Sequence, residues 1–102
     1  MLFSPLCSGS SGNTSYLEGG GVRLLVDAGV TAKRLRELMS MIDVSPEGLD
    51  AILVTHEHSD HVSGIGVLSR KYDIPVYAAA ECWENMPASI GEIASKNIRV
   101  FE

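Results

Sequence analysis

The chain has 102 residues, a formal net charge of −5 and 45% hydrophobic residues. That is the length of one small domain, and it is apolar enough to build a core, which argues against a disordered tail. The negative balance excludes a bulk electrostatic pull toward nucleic acid or an anionic membrane, although a bound metal ion can supply positive charge locally.

Leu2 to Cys7 reads as a short first strand, interrupted by Pro5. Ser8 to Asn13, SGSSGN, is a cluster of turn formers. Thr14 to Glu18 reads as a strand and Gly19 to Gly21 as a hairpin turn. Val22 to Asp27 is a strong strand closed by Gly29. Over TAKRLRELMSMI the spacing predicts a helix. Thr31 is its N-cap, and Leu35, Leu38, Met39 and Ile42 make one apolar stripe. Lys33, Arg34, Arg36 and Glu37 fall on its solvated faces. Ala51 to Val54 is a continuous apolar run, as in a strand buried on both faces. From Asp60 a second helix is predicted, with Val62, Ile65, Leu68 and Tyr72 on one side. Pro75 restarts an extended piece, VYAA. Ala80 to Met86 reads as a short helix stopped before Pro87, Ser89 as the cap of another, and the final IRVF as a strand. Strands and helices alternate, so the fold class is α/β.

The two cysteines, Cys7 and Cys82, are distant in sequence and make no disulfide framework. No apolar run approaches membrane-spanning length, and no signal-peptide pattern opens the chain. The expectation is a cytoplasmic protein with no membrane partner. Cys7, Cys82 and Trp83 read as packing residues.

All three histidines lie in THEHSDH, Thr55 to His61, where the buried strand ends. Ligand sites of α/β proteins sit at strand ends of this kind. In an extended stretch residues two apart point the same way, so His56 and His58 converge while Glu57 turns away. Asp60 and His61 follow at the turn into a helix and aim at a second point beside the first. The spacing offers two nitrogens to one metal ion, and a carboxylate and a nitrogen to another. Imidazole with carboxylate suits zinc, with manganese or iron as alternatives. Two close divalent ions activate water and stabilise both oxygens of a displacement, which is hydrolytic chemistry.

HEHSDH resembles the H-x-H-x-D-H signature of the metallo-β-lactamase superfamily at His56, His58, Asp60 and His61. LLVDAG, Leu24 to Gly29, resembles that superfamily's earlier strand, and SGSSGNTSYLE, Ser8 to Glu18, the start of its YycJ/WalJ-like branch. The resemblance implies half of a four-layer αββα sandwich, with His56 and His58 on a first metal ion and Asp60 and His61 on a second. It implies that Asp60 is the general base and that Asp27 supports the site without touching metal. It also implies phosphodiester hydrolysis by a metal-bound hydroxide, with DNA or another nucleic acid as substrate. Ser11 and Asn13 become candidate substrate contacts, because small residues let backbone N–H groups approach a phosphate.

The resemblance also implies further ligands beyond this motif. No histidine follows His61, and Asp73 is the only later aspartate. The chain therefore reads as the N-terminal half of the domain, residues 1–102, with one sheet face left uncovered. A homodimer is one way to cover such a face. Two other readings stand beside the nuclease: an incomplete, non-catalytic metal-binding piece that self-associates, and a thioesterase of the same fold.

Overall fold

The computed structural model describes residues 1–10 and 12–101. Six strands form one sheet in chain order: β1 Leu2–Cys7, β2 Thr14–Gly19, β3 Val22–Ala28, β4 Ala51–Leu53, β5 Val76–Ala79 and β6 Ile98–Phe101. The first three form an antiparallel meander, and β3 to β6 run parallel. Pro5 is tolerated because β1 is an edge strand, where its missing N–H costs no ladder bond. The turn at Gly20 and Gly21 needs both residues at positive φ, which glycine adopts without strain.

Helix α1, Ala32–Ser40, crosses from β3 to β4. Thr31 caps it as its sequence predicts, accepting the Arg34 N–H at 3.1 Å. Leu35, Leu38 and Met39 are its buried stripe. The segment from β4 to β5 carries two helices, α2 Ser59–Val62 and α3 Ile65–Tyr72, in place of the single predicted one. The break falls at Ser63 and Gly64. The Gly64 N–H donates to the Ala28 carbonyl at 2.8 Å, and a Cβ at Gly64 would collide with the Val30 carbonyl oxygen. A tertiary contact interrupts a pattern that is locally continuous. The last connection holds α4, Ala80–Glu84, and two 3₁₀ turns, Ala88–Ile90 and Ser95–Asn97. Ser89 lies inside the first of these turns and caps no helix.

The core lies between the helices and one sheet face. Tyr16, Leu25, Ile52, Val54, Val76 and Ala78 from that face meet Leu35, Met39, Val62, Ile65 and Leu68. In the register, Phe3, Leu17 and Leu24 lie in one row across the opposite face. Val26, Leu53 and Tyr77 form the next row. These six residues are half-buried or exposed. Phe3 is 58% exposed, an aromatic side chain left mostly in water. The sheet is thus covered on one side within this chain. Among the described residues, no helix is long and apolar enough to cross a membrane.

Candidate metal centre

The site begins with an irregularity in β3. Thr14 pairs with Ala28 and Ser15 with Val26, so Asp27 is the extra residue of a β-bulge. Its φ is 61°, in the left-handed region that aspartate tolerates better than most side chains. The bulge lets Asp27 aim at the mouth of β4, where the histidine run starts. Its side chain is 7% exposed. A buried carboxylate needs several donors, and here it has three. The Thr55 N–H donates to Oδ1 at 2.7 Å, the Thr55 hydroxyl to Oδ2 at 2.6 Å, and His61 Nδ1 meets Oδ2 at 2.8 Å.

Close backbone approach fixes the other half of the site. A Cβ at Gly29 would fall on the Asp60 carbonyl oxygen, so only glycine lets the end of β3 lie against the motif. Asn13 joins the same contact. Its N–H donates to the Asp60 carbonyl at 2.7 Å, and its own carbonyl accepts the Gly29 N–H at 2.9 Å. Its side-chain amide donates to Gly9 O at 3.0 Å, Asp60 O at 3.1 Å and Asp60 Oδ2 at 3.2 Å. The SGSSGN loop is therefore clasped to the motif through Asn13. Ser11 lies outside the described residues.

His58 is the N-cap residue of α2, and its carbonyl accepts the His61 N–H at 2.8 Å. That tight turn brings His61 round beside His56. The ring centroids of His56 and His61 are 4.8 Å apart, and those of His56 and His58 are 6.3 Å apart. Glu57 turns away from the histidines. Its carboxylate accepts from the Cys82 thiol of α4 at 3.5 Å. Burial, and then this carboxylate, push the Cys82 thiol above its ordinary range. Backbone hydrogen bonding first, and then the thiol, hold Glu57 below its own. Asp73 is remote from the motif, at the C-terminal end of α3, and is bonded to Asn97 at 2.9 Å and Lys96 at 3.1 Å.

The donor chemistry fits a divalent ion in part. Asp60 Oδ2 and His61 Nε2 stand 3.7 Å apart. Two donors on one tetrahedral zinc stand about 3.4 Å apart, so a small closure suffices. Yet among the described residues no three His, Cys, Asp or Glu side chains converge to hold one ion. The His56 ring lies nearer to His61 than to His58, and a structural or catalytic zinc takes three or four protein donors.

Thr55 is the residue that sequence reasoning passed over. It opens the histidine run, but its part depends on the Asp27 bulge, which no periodicity announces.

Residues 8–99 match the family model for the metallo-beta-lactamase superfamily. The chain is 49% identical over 102 residues to the "Exodeoxyribonuclease WalJ" of Streptococcus pneumoniae, a match covering 98% of the chain and 38% of that relative. It is 46% identical over 101 residues to the "Exodeoxyribonuclease YycJ" of Bacillus anthracis, covering 99% of the chain and 38% of the relative. A solved structure described as "Rm3 metallo-beta-lactamase" superposes with a TM-score of 0.71 at 19% identity, over 98% of the chain and 40% of that structure. The last likeness speaks for the fold alone. The chain spans well under half the length of the curated relatives it matches.

Proposed function

The chain belongs to the metallo-β-lactamase superfamily, and from that membership we propose that it forms the N-terminal half, residues 1–102, of a metal-dependent phosphodiesterase that digests DNA from an end. The observation that carries the reading is 49% identity, along 98% of the chain, to a relative named as an exodeoxyribonuclease. In this reading His56 and His58 hold a first divalent ion, and Asp60 and His61 a second. Zinc is the first choice, with manganese or iron as alternatives. When bound, such ions supply positive charge to the phosphate and make water a stronger acid. Asp60 is the general base that takes the proton of the attacking water. Its side chain is 35% exposed, so solvent reaches it, and the Asn13 amide orients Oδ2. Asp27 supports the site from behind through His61 and Thr55.

The SGSSGN loop borders these donors, and Ser11 and Asn13 are its proposed contacts to substrate. A phosphate reaching the Asn13 amide would lie beside Asp60 and His61. The remaining ligands come from outside residues 1–102, either from the rest of a longer chain or from a second copy seated on the open sheet face. Two unpaired thiols, Cys7 and Cys82, suit a reducing cytoplasm.

The test is a chimera in which this chain replaces the matching N-terminal part of the Streptococcus pneumoniae relative. Metal-dependent resection of end-labelled duplex DNA, lost in Asp60→Ala, is the expected result. Thioester turnover with DNA left intact would replace the nuclease reading.

A further inference from the structure

The hydrogen bonds around Thr55 allow one arrangement of protons. Asp27 is a carboxylate and only accepts. Its Oδ2 receives the Thr55 hydroxyl at 2.6 Å, a distance at which two oxygens need a proton between them. That uses the one proton the hydroxyl has. The same Oγ1 lies 3.0 Å from His56 Nδ1. Oγ1 can then only accept from that side, so His56 Nδ1 carries the hydrogen. The neutral ring is left with its lone pair on Nε2. His61 Nδ1 meets Oδ2 of the same carboxylate at 2.8 Å and must donate, which leaves its lone pair on Nε2 as well.

We infer that Thr55 is a positioning residue that relays the Asp27 carboxylate to His56, so that one buried acid sets the tautomer of two histidines belonging to two different donor pairs. His61 is set directly and His56 through the hydroxyl. The relay rests on the reading of these rings as metal donors, but the tautomers themselves do not. An outer group that fixes a ligand's tautomer and ring plane raises metal affinity by about 10- to 100-fold. Thr55 suits this role because its backbone is also tied. Its N–H donates to Asp27 Oδ1 at 2.7 Å, so hydroxyl and peptide are held by one carboxylate. The threonine methyl limits χ1 and keeps the hydroxyl on target.

The test is long-range nitrogen-proton correlation NMR of the imidazoles in the chain itself, without metal, at a pH where the rings are neutral. His56 and His61 are both expected as the Nδ1–H tautomer. His56 as the Nε2–H tautomer in the unaltered chain would overturn the relay with no substitution needed. Thr55→Val keeps the shape and removes the hydroxyl. It is expected to release His56 into mixed tautomers, to leave His61 unchanged, and to weaken zinc binding in competitive titration about 10- to 100-fold. Thr55→Ser is expected to restore both. An unchanged His56 tautomer and unchanged zinc affinity in Thr55→Val would show that the hydroxyl relays nothing. Failure of the nuclease reading would leave the tautomer result untouched, so the two are separable.

Discussion

Asp27 Oδ2 and His61 Nδ1 lie 2.8 Å apart although 34 residues separate them in the chain. The contact exists because β3 bulges at Asp27 and because α2 turns back immediately after β4. Asp27→Asn keeps the side-chain size but turns an acceptor into a donor that faces other donors. Zinc affinity is expected to fall about 10- to 100-fold, read by competition with a chelating dye. The lost hydrogen bonds are expected to lower stability by about 1–3 kcal/mol, read by urea unfolding.

Gly29 tests the backbone approach that seats the motif. In Gly29→Ala the new methyl meets the Asp60 carbonyl, which has no flexible end to move. The expected cost is about 3 kcal/mol, with metal binding weakened at the same time. A wild-type midpoint in chemical unfolding would mean that β3 and α2 stand further apart than described.

Thr14 carries a buried hydroxyl with no hydrogen-bond partner among the described residues, and it is 1% exposed. Thr14→Val has nearly the same volume and removes an unsatisfied polar group. Stability is expected to stay level or rise by about 1 kcal/mol in urea unfolding, where most buried substitutions would lower it.

Cys82 gives the pH test. Its thiol is raised first by burial and then by the Glu57 carboxylate. A raised thiol holds less thiolate at neutral pH, and thiolate is the form that is alkylated. In a Cys7→Ser background, iodoacetamide is expected to react with Cys82 more slowly than with a free thiol, with the midpoint of its pH–rate profile shifted upward. Glu57→Gln removes one raising cause and should move the midpoint down. A midpoint at the ordinary thiol value would separate α4 from the motif loop.

The strands were legible because their patterns are local. Val22 to Ala28 and Ala51 to Leu53 are runs that few other conformations accommodate, and the Thr31 cap is a local signal too. The spacing of His56, His58, Asp60 and His61 points to metal ligation, and the fold brings the His61 ring to 4.8 Å from His56 and its Nε2 to 3.7 Å from Asp60 Oδ2. What escaped depends on contacts between distant segments. The break between α2 and α3 comes from Ala28 and Val30 pressing on Gly64. The engagement of Asn13 with Asp60 requires β2, β3 and α2 to meet at Gly29. The hub at Thr55 follows from a bulge that displaces one aspartate by a single residue. None of these leaves a mark on periodicity.

On the proposed reading, His56, His58, Asp60 and His61 are metal donors whose shell is completed from outside residues 1–102. Elemental analysis of the chimera that joins this chain to the rest of the Streptococcus pneumoniae relative, after zinc loading and gel filtration, tests it most directly. Zinc retained by the chimera, and lost from its His56→Ala/His61→Ala variant, is the result expected. A folded chimera that leaves the column without zinc, or a double variant that retains as much as the parent chimera, would contradict it.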